Sequence, residues 1–125
     1  MRAPVALTAL RAVRFGLGGV AWLAPHTTSR LMRLDPPETA SGAYLMRLFG
    51  VRDALMGVEL TRFGDADRLR RQLRLGIVVD LVDVTASLVS GFQRQARPVG
   101  VAYRCVAGLV GASLGLASLR RVPPS

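Results

Sequence analysis

The sequence predicts an all-α protein, a four-helix transmembrane bundle whose N and C termini both lie in the cytoplasm. Half of the 125 residues are apolar and only 6% are aromatic, which favours helices over a β fold. Four apolar stretches alternate with three polar or proline-marked breaks. The first and fourth stretches each offer about 20 mostly apolar residues, enough to cross a bilayer. The length leaves room for one unit, so residues 1–125 are predicted to form a single membrane domain.

The predicted helices follow the four apolar stretches, at about 5–24, 41–63, 69–92 and 99–119. Pro25 ends the first of them, and the turn signal Asp35-Pro36-Pro37 marks the first connection. Within that connection, Thr28 is expected to cap a short amphipathic helix at the membrane interface. The residues of this short helix that should face lipid are Leu31, Met32 and Leu34.

Two alternatives compete with the membrane bundle. Arg11 and Arg14 precede an apolar run, as in a signal peptide, but the absence of a clear A-x-A cleavage site favours a retained first helix. Charged residues make up 20% of the chain, which would suit a soluble four-helix bundle. The fourth stretch argues against the soluble bundle, because it has almost no polar face to present to water.

The basic residues predict orientation rather than nucleic-acid binding. All seventeen are Arg, they spread along the whole chain, and no aromatic residues alternate with them to stack on bases. Arg collects at membrane edges and is enriched on the cytoplasmic side. Eight Arg residues fall on one side: Arg2, Arg62, Arg68, Arg70, Arg71, Arg74, Arg120 and Arg121. Four fall on the other: Arg30, Arg33, Arg94 and Arg97. The expected location is therefore a bacterial plasma membrane, with both termini cytoplasmic.

Metal and cofactor sites are not expected. Cys105 is the only cysteine and His26 the only histidine, so neither an internal disulfide nor a Cys/His metal set can form. Cys105 is interpreted as a small packing residue and His26 as a surface residue. The sequence contains no recognisable cofactor motif.

The third predicted helix carries a polar face. Gly76, Asp80, Asp83, Ser87 and Ser90 step by four, three, four and three residues, which places them on one side of a helix. An ionised carboxylate in mid-membrane costs at least a few kcal/mol, about 2.5 on insertion scales, so this face should turn inward and find a partner or stay protonated.

The second predicted helix supplies candidate partners. We expect Arg52, and also Arg47, to meet Asp80 or Asp83 near the bundle centre. The predicted polar core consists of Arg47, Arg52, Asp53, Asp80, Asp83 and Ser87. Such a core either fixes helix register or carries function, and spacing alone does not separate the two. If the protein is an enzyme, the candidate catalytic acids are Asp80, Asp83 and Glu59.

Small residues recur at helix-contact spacing, at Ala107, Gly111 and Gly115 and at Ala12, Gly16 and Gly19. In lipid, close approach through such faces drives helix association. These faces are expected to pack within the bundle or between copies of the chain.

Two strings resemble a known group. RLFGVRDALMG and, about twenty residues later, LRLGIVVDLVDV are similar to small four-helix integral membrane proteins of unknown function from actinobacteria and, more loosely, to the DoxX-like group. The likeness covers most of the second and third predicted helices. It implies a four-helix plasma-membrane bundle and draws attention to Arg52, Asp53, Asp80 and Asp83. The DoxX-like likeness further implies quinone-linked redox chemistry, for which this chain has no Cys pair or His ligand.

Two functional hypotheses follow. The first is a small membrane subunit or homo-oligomer, whose small-residue faces dock on neighbours within a larger complex. The second is an enzyme or carrier for a hydrophobic small molecule of lipid, isoprenoid or quinone-like character, whose intramembrane acids line a cavity. A proton or ion pathway is a third option, which requires a polar track from Asp80 toward both surfaces.

Overall fold

Helices make up nearly all of the described chain. A computed structural model describes residues 4–31, 40–61, 65–93 and 98–124. Within these ranges there are five helices and no strand: α1 (Val5–Leu23), α2 (Pro25–Leu31), α3 (Ala40–Thr61), α4 (Ala66–Phe92) and α5 (Pro98–Leu119). The all-α prediction is confirmed. The four predicted long helices correspond to α1, α3, α4 and α5, although the predicted end at Phe63 lies outside the described residues.

Local sequence accounts for several helix ends. Pro98 is the first residue of α5, a position where the missing N–H costs nothing and the fixed φ suits the helix. α4 begins after Asp65, whose side-chain oxygen accepts hydrogen bonds from the backbone N–H groups of Asp67 (2.9 Å) and Arg68 (3.3 Å). The cap satisfies two of the N–H groups that a helix start leaves without a partner.

The short helix α2 differs in detail from the prediction. It begins at Pro25, so Thr28 lies inside it rather than at its start. Thr28 is buried, and its hydroxyl donates to the carbonyl of Ala24 at 2.9 Å. The sequence indicates a cap because Thr is favoured at N-caps, but inside a helix its hydroxyl can instead bond the carbonyl four residues earlier, as it does here. Leu31 is exposed as expected, whereas Met32 and Leu34 lie outside the described residues.

The long helices form two antiparallel pairs. In the first pair, α1 packs on α3, and a side chain at Gly18 would lie 2.7 Å from the carbonyl oxygen of Gly50. In the second pair, α4 packs on α5, and a side chain at Gly108 would lie 3.0 Å from the carbonyl oxygen of Asp80. Glycine allows the backbones to touch in both pairs, as small residues do in membrane bundles generally.

The two pairs stand side by side, with α1 next to α5 and α3 next to α4. α1 and α4 are diagonally opposite and, among the described residues, make no close backbone contact. One end of the bundle is closed by an apolar cluster that draws on both pairs: Leu7, Leu10, Leu60, Leu73 and Val122, with Leu69, Leu114 and Leu119 packed against them. We call this the apolar end.

The outer surface of the bundle is apolar. α1, α4 and α5 are long and apolar enough to cross a membrane. Large hydrophobic side chains that are exposed on α4 and α5 include Val78, Leu81, Val82, Val106, Leu109 and Val110. A water-soluble bundle would carry polar residues at these positions. Helix length and surface composition together indicate a multi-pass membrane protein.

Candidate functional site

Arg14 forms the centre of the polar core. It lies at the middle of α1, and its side chain is almost fully buried, with 5% of the residue exposed. Its Nη1 donates to Asp53 Oδ1 on α3 at 3.2 Å, and its Nη2 donates to Asp80 Oδ2 on α4 at 2.6 Å. One guanidinium therefore joins three helices, and the bond to Asp80 crosses the bundle diagonal that no backbone contact bridges.

A second ion pair lies beside the first, with about one third of each side chain exposed. Arg52 on α3 donates through Nη1 and Nη2 to the two carboxylate oxygens of Asp83 on α4, at 3.1 and 2.7 Å. The parallel bonds fix the planes of both groups. The Arg52 guanidinium also lies 4.4 Å from the ring centre of Phe49, within cation–π range. The expected pairing of Arg52 with a carboxylate of α4 is present.

Glycines on α5 make room for the buried carboxylate. A side chain at Gly111 would lie 2.6 Å from Asp80 Oδ2, the same atom that accepts from Arg14. Any larger residue would displace this oxygen. Gly111 and Gly115 therefore pack within the second pair, which agrees with the predicted alternative of packing within the bundle. On α1, by contrast, a side chain at Gly16 or Gly19 would meet no atom within 4 Å, and the close approach is made by Gly18.

A cavity of about 300 Å³ opens on the side of the ion pairs away from the apolar end. Its charged lining comprises Arg14, Arg52, Asp80, Asp83 and Arg104, next to the hydroxyls of Ser87 and Ser90. Its apolar lining includes Val13, Leu17, Leu45, Met46 and Phe49. Ligand sites in proteins typically combine an apolar wall with a few polar groups in this way, in volumes from about 300 Å³ upward. We call this the upper cavity.

A second cavity of about 280 Å³ lies on the other side of the ion pairs. Arg14, Arg52 and Gly111 line both cavities, so the charged layer separates them. The lining of the second cavity is otherwise almost entirely apolar, with Gln72 as its further polar residue. The polar track that a proton or ion pathway needs is therefore present on one side of Asp80 and sparse on the other.

The predicted site residues fall into two groups. Arg52, Asp53, Asp80, Asp83 and Ser87 come together, and Asp80, Asp83 and Ser87 line the upper cavity. The other two predicted residues lie elsewhere.

Arg47 is exposed on the outer side of α3, because a position five residues before Arg52 points to a different face of the helix. Glu59 lines neither cavity; it lies in the last turn of α3, where it accepts from Arg68 at 2.8 Å.

Sequence reasoning missed Arg14 and Arg104. Arg14 was considered only as a charge preceding the first apolar run. The relevant signal was its position at the middle of a stretch long enough to span a membrane, where an Arg almost always faces the bundle interior. Arg104 lies nearer the start of the fourth stretch, and its signal is weaker: a charge within an otherwise apolar helix. Both line the upper cavity.

No group of three or more His, Cys, Asp or Glu side chains in the described part of the chain could hold a metal ion. Asp53 and Asp80 are occupied by Arg14, and Asp83 by Arg52, so each carboxylate of the network already has a cationic partner. Comparison with protein-family models, curated proteins and solved structures found no match.

Proposed function

We propose that the chain is a four-span membrane protein whose upper cavity binds a small molecule with a hydrophobic part. The observation that carries this proposal is the cavity itself, in which apolar walls and a charged floor face the same space of about 300 Å³. A polar core that only fixed helix register would need no empty space beside it. Open volume next to paired charges is typical of a binding site.

The four-span arrangement requires that α3 also crosses the membrane. Its outward face supports this, because exposed apolar side chains recur along it at Leu48, Val51, Leu55 and Val58. Of its charges, Arg52 and Asp53 turn toward the bundle interior, and Glu59 lies in the last turn. Arg47 lies about two turns from the start of α3, within reach of the membrane surface for a long flexible side chain.

An even number of spans places both termini on one side. The excess of Arg at the apolar end then supports a cytoplasmic position for that end and for both termini, in a bacterial plasma membrane. Of the Arg residues behind this orientation, Arg2, Arg33, Arg62, Arg94 and Arg97 lie outside the described residues.

The proposal is tested by filling the upper cavity. Ala107 lines it, so Ala107→Phe should occupy the space. Ala102→Phe, on the exposed side of α5, adds the same volume toward lipid and is the matched control. Native mass spectrometry from mild detergent should show a co-purified small molecule on the wild type and on Ala102→Phe but not on Ala107→Phe. Equal retention by all three proteins, or by none, would contradict the proposal.

One observation favours a second candidate, a homo-oligomer. Ala12 and Gly16 are exposed on α1, and Gly16 and Gly19 have open space where a side chain would be. This face is suited to close approach by another helix. The same native mass spectra report subunit number. A defined oligomer that Gly16→Leu dissociates, while Ala102→Leu leaves it intact, would support this candidate, and a monomer for the wild type would exclude it.

A further inference from the structure

We propose that the ligand of the upper cavity is an amphipathic anion, whose acidic head, a carboxylate or phosphate, binds Arg104. This inference rests on the function proposed above and adds the chemical class of the ligand. The juxtaposition that carries it is a cationic side chain with no partner in the described chain, placed on the wall of a largely apolar cavity.

The charges that line the cavity do not balance. Three guanidinium groups face it, from Arg14, Arg52 and Arg104, against the two carboxylates of Asp80 and Asp83. Both carboxylates are already bonded, Asp80 to Arg14 and Asp83 to Arg52. The one positive charge left over belongs to Arg104.

Asp53 does not neutralise this charge. It is 1% exposed, lines neither cavity, and accepts from Arg14, with Arg52 3.7 Å away. A carboxylate enclosed on the far side of two guanidinium groups cannot pair with a cation across the cavity. Arg104 itself has no hydrogen-bond or ion-pair partner among the described residues, and its Nε is buried.

Arg104 is partly buried, with its Nε out of contact with solvent, and partial desolvation of a guanidinium is costly when no anion offsets it. Arg also presents a planar fork of N–H donors that matches a carboxylate or phosphate better than any neutral group. An acidic head group would therefore supply the negative charge and the hydrogen-bond acceptors that Arg104 lacks. The neighbouring apolar walls, formed by Leu17, Phe49 and Met46, would take the hydrocarbon part.

The height of Arg104 in the bundle suits an amphipathic ligand. Val101 packs on Gly91 and Gly108 on Val84, so Arg104 lies between these contacts, at the level of Ser87 on α4. Ser87 lines the same cavity and adds a hydroxyl donor. Arg104 is six residues after the start of α5, or about 9 Å along the helix axis. At that depth a charged head stays near the membrane surface while its chain reaches apolar space.

The test measures binding of four probes by isothermal titration calorimetry to the full-length protein in nanodiscs of uncharged lipid. The probes are decanoate, decyl phosphate, 1-decanol and decylamine, and acetate and inorganic phosphate serve as head groups without a chain. Decanoate and decyl phosphate should bind most tightly, 1-decanol weakly, and the free anions not measurably. Decylamine binding more tightly than decanoate would overturn the proposal, and so would inorganic phosphate binding as tightly as decyl phosphate.

Variants distinguish the assignment of an anionic ligand from the binding function itself. Arg104→Gln should weaken decanoate binding roughly ten- to a hundredfold while leaving 1-decanol unchanged. Arg104→Lys should retain part of the decanoate affinity, and Arg121→Gln, an exposed charge beyond α5, should retain all of it. Equal decanoate affinity in Arg104→Gln and wild type would overturn the anion assignment alone. Absence of binding by every alkyl probe would instead overturn the binding function itself.

Stability gives a further check that does not depend on the ligand. Because Arg104 has no internal partner, Arg104→Gln should unfold at the same temperature as the wild type or higher in the absence of probes. Decanoate should then raise the unfolding temperature of the wild type more than that of the variant. A marked loss of stability in probe-free Arg104→Gln would show that the guanidinium has a structural partner, which would overturn the proposal.

Discussion

Contacts inside each helix pair and contacts between the pairs are of different kinds. Inside the pairs, α1 meets α3 and α4 meets α5 through glycines that let the backbones touch. Between the pairs, the middle of the bundle is held by Arg14–Asp80 and Arg52–Asp83 and flanked by two cavities. The pairs are therefore the packed units of this fold. The seam between them contains the ion pairs and both cavities.

The largest loss of stability is expected for Arg14→Leu, which removes the central cation between the two pairs. The substitution leaves the buried carboxylates of Asp53 and Asp80 without their guanidinium, and breaking a buried ion pair in this way costs about 3 to 5 kcal/mol. We expect thermal unfolding in detergent, followed by circular dichroism, to show a large loss of stability. The triple variant Arg14→Leu/Asp53→Asn/Asp80→Asn removes the unpaired charges and should recover much of it. If the single variant were as stable as the triple, the seam would not depend on the ion pairs.

Gly18→Ala tests the packing inside the first pair. The added methyl group would lie 2.7 Å from the carbonyl oxygen of Gly50, and backbone cannot rotate away, so α1 and α3 must separate at a cost of about 1 to 3 kcal/mol. Gly16→Ala is the matched control, because nothing lies within 4 Å of its added group. The control should be neutral or stabilising by roughly 0.5 to 1 kcal/mol. Equal unfolding temperatures for the two variants would refute the close approach at Gly18.

Gly111→Ala affects both the packing of α5 on α4 and the ion pair between Arg14 and Asp80. Its methyl group would lie 2.6 Å from Asp80 Oδ2, so the carboxylate must turn away from Arg14. We expect a loss of about 1.5 kcal/mol, the size of one hydrogen bond to a charged group. If the loss arises from the ion pair, Gly111→Ala should cost little in an Asp80→Asn background. If Gly111→Ala lowered stability as much in the Asp80→Asn background as in the wild type, the loss would come from helix packing instead.

The smallest expected effect is that of Asp83→Asn. Asp83 and Arg52 are 33% and 36% exposed in their side chains and line the upper cavity, and in Asp83→Asn the Arg52 guanidinium still has the Asp53 carboxylate 3.7 Å away. Thermal unfolding should therefore change by a few degrees at most, in contrast to the effect of Arg14→Leu. A loss as large as that of Arg14→Leu would mean that the seam is as enclosed at Asp83 as at Asp80.

The helices could be predicted because membrane helices depend on length and apolar composition, which are local properties. The inward face of α4 followed from the spacing of Asp80, Asp83 and Ser87. Which cation would reach which acid could not be predicted, because it depends on the rotation of each helix about its axis. The cavity could not be predicted for the same reason, because its size and position depend on how the four helices are placed relative to one another.

The diagonal reach of Arg14 bears on how the protein is made. In a bilayer, an Arg at a helix centre costs about 2.5 to 3.5 kcal/mol until it is neutralised. Its partners Asp53 and Asp80 lie on α3 and α4, which leave the ribosome after α1. Insertion of the first helix alone therefore carries this cost. Asp53 on α3 can begin to offset it, and the ion-pair network of Arg14 is complete only when α4 has brought Asp80 into the membrane.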